Sequence, residues 1–392
     1  MVRFRDIERD KEKTEDKRSY KDALDERRNL KMENEITKKT SDVTGKIIDK
    51  AEKNEVPVKE DKTYTNRKNL YELISDDINA ADIGEAEKNR MLSRVIQLRN
   101  KKVNLLVAGA TGAGKSSTIN AMFNMEVAKV GVGVDPETDR LTSYELDNLT
   151  IWDTPGLGDG RSDKKYNKKI VRKLSELDDN GAPLIDLVLV ILDASSKDLG
   201  TSYNLINNVI IPCLGKEAGT RILVGLNQAD VAMKGQHWDA EKNEPDEILL
   251  DYLKRKAVSV RDRVKDATGI EIHPVFYCAG YKEDGGEQRK PYNLTKLLYY
   301  IVNAIPAEKR LAIADNINID EDMWAHGDDN EEFKAKTGSK FLETIGDCIS
   351  LCSYEAGVQG SFLLGYPGAA IGVVVGGIWG AISGFIKAIA DI

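Results

Sequence analysis

Apolar residues between positions 103 and 280 form short uninterrupted runs, and helix-like stretches separate them. Such runs are typical of strands buried on both faces, and their alternation with helices predicts a mostly parallel sheet with helices on both faces. Ligands of such sheets bind at the carboxyl ends of the strands, so chemistry is expected where each run stops. The runs are VNLLVAG (103–109), LTIWD (149–153), LIDLVLVILDA (184–194), RILVGLNQAD (221–230) and HPVFYCAG (273–280), and the helix-like stretches are 115–124, 166–178, 201–212, 247–267 and 293–304.

The segments on either side of this α/β pattern differ in composition. Residues 1–64 mix both signs of charge and hold few large apolar side chains, which predicts a disordered tail or a solvated helix. The α/β domain is assigned to 101–306, an acidic connector with some helix to 307–340, and an apolar, glycine-rich segment to 341–392. Residues 65–100 predict two amphipathic helices from the spacing of Leu70, Leu73, Ile74, Ile78, Met91, Leu92, Val95, Ile96 and Leu98.

The first apolar run ends in GATGAGKSS, residues 109–117, which satisfies the pattern G-x-x-x-x-G-K-[ST]. The motif follows a strand and opens a helix, the context in which such a loop cradles phosphates. Lys115 is expected to reach the β- and γ-phosphates, and the Ser116 hydroxyl to bind Mg²⁺. The residues predicted to contact the nucleotide here are Gly109, Gly112, Ala113, Gly114, Lys115, Ser116 and Ser117.

A second phosphate element follows the strand LTIWD. A carboxylate at Asp153 can hold Mg²⁺, usually through water, and the Gly156 N–H can sense the γ-phosphate. The loop before this strand should supply a hydroxyl to Mg²⁺, and both Thr138 and Thr142 are available. Thr138 is preferred, as a metal ligand and a catalytic residue, because it follows Pro136 in a loop whereas Thr142 begins the next strand.

The fourth and fifth runs end in residues suited to read a base. The Asp230 carboxylate can accept from N1–H and N2–H₂ of guanine, an arrangement of donors that adenine lacks. Asn227 is expected to tie this loop to the phosphate loop and the base, and the Ala279 backbone N–H to meet the guanine O6.

These five motifs resemble, in order and spacing, those of the translation-factor-related GTPases. The chain looks most like the Era-like bacterial GTPases, in particular their prophage- and mobile-element-associated branch. The loop GATGAGKSSTINAMF is also similar to that of septin, plastid-import and immunity-associated GTPases. The resemblance covers about residues 100–305. It implies a Ras-like P-loop G domain, with a helical N-terminal and a glycine-rich helical C-terminal extension, that binds GTP and GDP with Mg²⁺ and hydrolyses GTP.

The chain departs from this family, or from some of its members, at three positions, Gln228, Cys278 and Gly112. Gln228 replaces the usual lysine of the fourth motif, which predicts weaker nucleotide affinity, and Cys278 replaces the usual serine of the fifth. Gly112 stands where potassium-activated relatives carry asparagine, which argues against potassium activation. Leu157 follows the third motif and cannot orient water.

Relatives with a hydrophobic residue at the position of Leu157 hydrolyse GTP slowly alone. Another group completes the reaction, often from a dimer partner across the nucleotide face. The resemblance therefore implies slow intrinsic turnover and a homodimer of this kind. Arg140, Asp159 and Arg161 are the candidates for that group in this chain, and the sequence does not choose among them.

The charge and the cysteine content of the chain indicate which partners and which cellular compartment suit it. The net charge of −8 argues against non-specific nucleic-acid binding. The four cysteines and three histidines do not form a disulfide framework or a zinc motif, so a reducing cytoplasm fits. The N-terminus lacks the apolar stretch of a secretory signal.

The C-terminal segment is apolar, and glycine recurs in it at every fourth residue. No charged residue occurs from Ala356 to Ile386, and residues 368–386 would span about 28 Å as a helix, close to the apolar core of a bilayer. We expect either membrane association through residues 362–390, peripheral or integral at the inner membrane, or burial in a small helical bundle. The glycines that recur every fourth residue are Gly368, Gly372, Gly376, Gly380 and Gly384.

Three functions fit these features. The first is a GTP-hydrolysing switch that controls the C-terminal membrane or oligomerisation segment. The second is an Era-like ribosome or RNA assembly GTPase, although the acidic stretch 307–340 argues against an RNA-binding appendage. The third is a membrane effector that the nucleotide gates.

Overall fold

A computed structural model of the chain describes residues 69–80, 84–123, 125, 129–132, 141–154, 163–280, 289–318 and 320–355. The strands in these ranges are β1 Val103–Gly109, β2 Lys129–Val132, β3 Thr142–Glu145, β4 Leu149–Asp153, β5 Leu187–Asp193, β6 Ile222–Asn227, β7 Trp238–Asp239, β8 Glu244–Pro245 and β9 Val275–Phe276. The main helices are α1 Leu70–Ala80, α2 Glu85–Arg99, α3 Lys115–Met122, α4 Asp163–Leu174, α6 Glu247–Thr268, α7 Leu294–Ala304, α8 Arg310–Asn316 and α9 Asn330–Glu355. Helix α5 begins as Gly200–Leu205, passes through the π-helical turn Ile206–Ile210 and ends as Ile211–Leu214.

Seven strands form one mixed, mostly parallel sheet in the order β2-β3-β4-β1-β5-β6-β9. Strand β1 lies in the centre, parallel to β4 and β5, because its apolar side chains are buried on both faces. The register pairs Val107 with Asp153 and Gly109 with Ile191, so the phosphate loop and the end of β4 meet at one edge of the sheet. The expected fold, a mostly parallel α/β sheet with helices on both faces, is confirmed.

The antiparallel strands β2 and β3 at the sheet edge are not foreseen by the apolar pattern. Strand β2 reads KVGV and pairs with β3, which reads TSYE and pairs in turn with β4. Neither segment is a continuous apolar run. Of these two strands, only β2 is an edge strand of the sheet, and such a strand needs less apolar surface than a central one, so its sequence carries a weaker signal.

Each face of the sheet has its own core. Leu105 and Val107 of β1 belong to the α7-side cluster, which we define as the buried residues that α1, α2, α3, α7, α8 and α9 cover. Leu106 and Ala108 belong to the α5-side cluster, which α4, α5 and α6 cover. Alternate residues of a strand point to opposite faces, so β1 contributes to both clusters.

The two N-terminal helices predicted within 65–100 are present as α1 and α2. Ile74 and Val95 are buried in the α7-side cluster, as is Tyr71, which the pattern analysis passed over. Ile96 is the exception, since its side chain is 49% exposed. It follows Val95 directly and therefore points away from the face that packs on the core.

The segment 307–340, which we predicted to be an acidic connector, is part of the packed core. Leu311 and Trp324 are each 1% exposed, and Phe341 is fully buried in the same α7-side cluster. Helix α9 runs without a break across the boundary that we placed between residues 340 and 341. A free connector would not bury these side chains. The acidic residues occupy the solvent side of a segment whose few apolar residues face inward.

Several predicted segments lie outside the described residues. These are the tail 1–64, residues 65–68 and the uncharged run that begins at Ala356, including the glycine repeat and the proposed membrane segment 362–390. In the ranges that the structure does describe, no helix combines the length and apolar character needed to cross a bilayer.

Candidate nucleotide-binding site

Close backbone approaches explain the glycines of the phosphate loop. A Cβ atom on Gly109 would lie 2.3 Å from the carbonyl oxygen of Ile191 on β5, so only glycine fits at the end of β1. Gly114 has a φ of +84°, and a Cβ there would lie 2.1 Å from the side-chain nitrogen of Asn227. The loop is thus shaped by two neighbours in the sheet, and α3 begins directly after it at Lys115.

Lys115 is buried beneath the loop. Its Nζ donates to the carbonyl oxygens of Gly109 at 3.3 Å and Ala110 at 3.2 Å. Burial lowers the pKa of Lys115, while the Asp153 carboxylate opposes that shift. The ammonium group is therefore held at the loop by weak contacts with carbonyl oxygens, which a phosphate could replace with stronger charge-assisted bonds.

Ser116 and Asp153 lie side by side at the edge of the sheet. The Ser116 hydroxyl donates to Oδ2 of Asp153 at 3.4 Å, while Oδ1 of Asp153 is buried and has no hydrogen-bond partner among the described residues. Burial raises the pKa of Asp153, against the opposing effects of Lys115 and Ser116. An unpartnered carboxylate oxygen next to a hydroxyl fits Mg²⁺, which usually takes one or two protein ligands and completes its shell with water and substrate phosphates.

The residue after Asp153 is anchored on two sides. The backbone N–H and the hydroxyl of Thr154 both donate to the carbonyl oxygen of Val107, at 3.1 and 3.0 Å. Its hydroxyl also lies 2.9 Å from that of Tyr166 on α4. Thr154 therefore fixes the start of the following loop to β1 and α4, a role that the sequence analysis did not assign.

Asn227, at the end of β6, joins three loops. Its Nδ2 donates to the carbonyl oxygen of Ala113 in the phosphate loop at 3.0 Å. Its Oδ1 accepts the backbone N–H of Ala279 at 3.0 Å. We predicted that this N–H meets a guanine O6, whereas in the structure it donates its hydrogen bond to Asn227.

Asp230 and Cys278 meet at the base-reading end of the site. The Cys278 thiol lies near the Asp230 carboxylate, and burial together with this carboxylate raises the pKa of Cys278. The backbone N–H of Gly280 donates to Cys278 Sγ at 3.3 Å. A neutral thiol therefore stands next to the carboxylate at the position where related proteins use a serine hydroxyl.

The remaining predicted residues divide into two groups. Thr142 begins β3 and pairs in register with Asp153, in agreement with its assignment to a strand. The second group lies outside the described residues and comprises Thr138, Gly156, Leu157, Arg140, Asp159 and Arg161.

A polar cleft of 1090 Å³ lies at the opposite end of the sheet, near the starts of β1, β5 and β6. Asp186 accepts a hydrogen bond from the backbone of Asn104 and pairs with Lys309 at 2.6 Å. Arg221 donates to backbone carbonyl oxygens beside it and pairs with Glu217. These charged groups already have partners in the protein, so we place the chemistry at the phosphate loop.

Comparison with known proteins agrees with this geometry. Residues 104–228 match the model of the family described as 50S ribosome-binding GTPase. The uncharacterized protein YfjP of Escherichia coli (strain K12) is 32% identical over 148 residues, which cover 36% of this chain and 47% of that protein. Translocase of chloroplast 159 of Arabidopsis thaliana is 31% identical over 130 residues, which cover 32% of this chain and 8% of that protein.

Among solved structures, Toc33 from Arabidopsis thaliana in complex with GDP and Mg²⁺ is similar at 18% identity, with a TM-score of 0.35. The match covers 63% of this chain and all of that one. The chain spans about half or less of the length of the curated relatives named above. Residues 104–228 therefore match a GTPase family, and the strand, glycine-rich loop and helix around Lys115 agree with a P-loop G-domain fold.

Proposed function

We propose that this protein is a GTP-binding and GTP-hydrolysing molecular switch that requires Mg²⁺. The observation that carries the proposal is the convergence of Lys115, Ser116 and Asp153 at one edge of the sheet, with the unpartnered Oδ1 of Asp153 beside them. Mg²⁺ bound there would neutralise charge on the transferred phosphate, and Lys115 would do the same from the phosphate loop. Thr138 and Gly156 complete this proposed set.

Guanine is the proposed base. The Asp230 carboxylate, next to the Cys278 thiol, would accept two hydrogen bonds from the guanine edge. Asn227 links this region to the phosphate loop, so the base and the phosphates would be bound by connected groups. Adenine offers no matching pair of donors and would leave the carboxylate unpaired.

Nucleotide preference tests this proposal. The Asp230→Asn variant should change the preference from guanosine to xanthosine nucleotides, because the amide presents a donor to the base where the carboxylate presented an acceptor. Titration with GDP, XDP and ADP would measure the preference. The Asp266→Asn variant, changed at an exposed position on α6, is the matched control and should bind like the wild type. Equal affinity of the wild type for ADP and GDP would contradict the base assignment.

The proposal extends to turnover and to the C-terminal segment. With Leu157 unable to orient water, intrinsic hydrolysis would be slow, and a homodimer across the nucleotide face would supply the missing group. Helix α9 leads from the packed core toward the uncharged run that begins at Ala356. We propose that the nucleotide state controls membrane association or oligomerisation through that run.

A ribosome-associated role is the second candidate. It is favoured by the description of the matched family, which names binding to the 50S ribosome. Co-sedimentation with ribosomal subunits in the presence of GTP, with GDP as the control state, would support this role over the membrane role. Flotation with lipid vesicles would support the first.

A further inference from the structure

The backbone of Cys278, which precedes Ala279, pairs with the backbone of Tyr292. The backbone N–H of Cys278 donates to the carbonyl oxygen of Tyr292 at 3.0 Å, and that of Tyr292 donates back at 2.9 Å. Because the two residues exchange both bonds, a displacement of Tyr292 displaces Cys278 with it. The carbonyl oxygen of the preceding Tyr277 accepts the backbone N–H of Ala229 at 3.2 Å, so the strand end that Tyr292 holds is bonded to the residue before the base-reading Asp230.

Asp328 holds Tyr292 from outside the motif region. The Tyr292 hydroxyl donates to Oδ1 of Asp328. The Tyr292 ring packs edge-on against Trp238, with the ring centroids 5.3 Å apart. Burial and the Asp328 carboxylate raise the pKa of Tyr292, so its hydroxyl remains a donor at neutral pH. The tyrosine is thus fixed at both its ring and its hydroxyl.

Asn293, the residue after Tyr292, also hydrogen-bonds Asp328. Its Nδ2 donates to Asp328 Oδ2 at 3.3 Å and to the carbonyl oxygen of Phe276 at 3.1 Å, while its Oδ1 accepts the backbone N–H of Asp328 at 2.7 Å. Asn293 is fully buried. A Cβ on Gly327 would lie 2.8 Å from its Oδ1, so glycine allows the two segments to approach this closely.

We propose that Asp328 is a positioning residue for guanine recognition. It holds Tyr292 and Asn293, and through their bonds to Cys278 and Phe276 it fixes the strand end that is bonded to the loop of Asp230. The inference rests on the proposed function, in which Asp230 reads guanine. Asp328 itself does not touch the nucleotide.

This contact also joins the base site to the C-terminal helix, since α9 begins two residues after Asp328. If the contact of Asp328 with Tyr292 strengthens guanine binding, guanine binding must strengthen that contact by the same free energy, because coupling free energies are reciprocal. Guanine binding should therefore tighten the contact of the α9 N-terminus with residues 292 and 293.

The test compares GDP with IDP. The base of IDP lacks the exocyclic amino group from which Asp230 would accept a hydrogen bond. Asp328→Asn should weaken GDP binding about fivefold, the size expected for one hydrogen bond. It should weaken IDP binding by less. The ratio of GDP affinity to IDP affinity should therefore fall about twofold to threefold. Tyr292→Phe keeps the ring packing on Trp238 and should act in the same way. The double variant should lose less than the sum of the two single changes, because both weaken the contact between Tyr292 and Asp328.

Asp329→Asn is the matched control. Asp329 is exposed, next in sequence, and has a φ of +51°, which asparagine tolerates. It should leave the affinity ratio at the wild-type value. Should Asp328→Asn fail to fold, Tyr292→Phe decides the question alone.

An equal loss of GDP and IDP affinity in Tyr292→Phe, or a fall in thermal midpoint with an unchanged ratio, would assign the contact to stability only and overturn the inference. A wild-type protein that binds IDP as tightly as GDP would instead count against the proposed function. The two failures are therefore distinguishable in one set of titrations.

Discussion

The side-chain amide of Gln228 donates to the carbonyl oxygen of Gly112 in the phosphate loop at 2.6 Å. Gln228 holds this position with a φ of +64° and links the base-reading loop to the phosphate loop. A neutral amide therefore makes a link at the position where relatives carry a lysine. This contact is a second connection between the two loops, in addition to the one through Asn227.

Replacement of Gln228 should change nucleotide affinity in both directions. Gln228→Ala removes the link and should weaken GDP binding about fivefold, the size of one hydrogen bond. Gln228→Lys adds a positive charge near the phosphates and should strengthen GDP binding by a similar factor. Gln236→Lys adds the same charge at an exposed position outside the loop and serves as the control. Weaker binding by Gln228→Lys would show that the amide is preferred here.

Truncation of Lys115 should remove most of the nucleotide affinity. Among the described residues, its Nζ donates hydrogen bonds to two carbonyl oxygens of the loop, so its charge is available to a phosphate. Loss of a charged hydrogen bond of about 1.5–3 kcal/mol predicts GTP binding about 10- to 100-fold weaker in Lys115→Ala, with a corresponding loss of hydrolysis. Lys102→Ala, at the opposite end of the sheet, should behave as the wild type. Undiminished turnover in Lys115→Ala would refute the phosphate-loop assignment.

The buried amide of Asn148 should be required for stability. Its Nδ2 donates to the Tyr71 hydroxyl at 2.8 Å, and its Oδ1 accepts from Asn316 at 2.8 Å. Asn148→Ala removes the donor to the buried Tyr71 hydroxyl and one of two acceptors of Asn316 Nδ2, which keeps its bond to the Ala312 carbonyl oxygen, so the free energy of unfolding should fall by about 2 kcal/mol. Chemical denaturation measures this. Asn208→Ala, which removes one exposed side-chain bond, should change stability by about 0.5 kcal/mol or less.

Loss of the Lys309 partner should destabilise the protein in a pH-dependent way. Burial raises the pKa of Asp186, and the hydrogen bond from Lys309 opposes that shift, so Lys309→Met should raise this pKa further. A carboxyl whose folded-state pKa lies above its unfolded value near 4 contributes stability that is lost as pH rises through the folded pKa. The variant should therefore differ little from the wild type near pH 4 and be about 2 kcal/mol less stable at pH 7.

Denaturation at several pH values measures this difference. Lys334→Met removes an ion pair whose partner, Glu331, is largely exposed, and is the control. Its effect should be about 0.5 kcal/mol or less and nearly independent of pH. A destabilisation by Lys309→Met that is as large at pH 4 as at pH 7 would show that the lost packing of the lysine stem, rather than the buried charge, is responsible.

GTP turnover should depend on protein concentration. If a second copy supplies the group that Leu157 lacks, specific activity should rise as the protein is concentrated. The same assay with lipid vesicles, on the full chain and on a chain that ends at Glu355, tests the proposed role of the C-terminal run. Constant specific activity at all concentrations would exclude dimer-assisted hydrolysis, and vesicle binding by the shortened chain would place membrane association elsewhere.

The central strands and the phosphate loop could be predicted because local sequence determines them. VNLLVAG and LTIWD are continuous apolar runs, and both strands have the predicted bounds. The packing of 307–340 was missed because its acidic composition conceals a few widely spaced apolar residues, among them Trp324. The link from Asn227 to Ala279 was missed as well, because it depends on how two loops distant in sequence approach each other.

The two sheet faces differ in when they can be completed during synthesis. The last residue of the α5-side cluster in the chain is Tyr292, whereas the α7-side cluster also needs Phe341 and Ile345. A chain that leaves the ribosome N-terminus first can therefore close one face of the sheet while the other still lacks α7, α8 and α9. The phosphate loop is already made at that stage, so a nascent chain would carry a formed loop on a half-finished core. Premature termination before Phe341 should yield an aggregation-prone product rather than a smaller working domain.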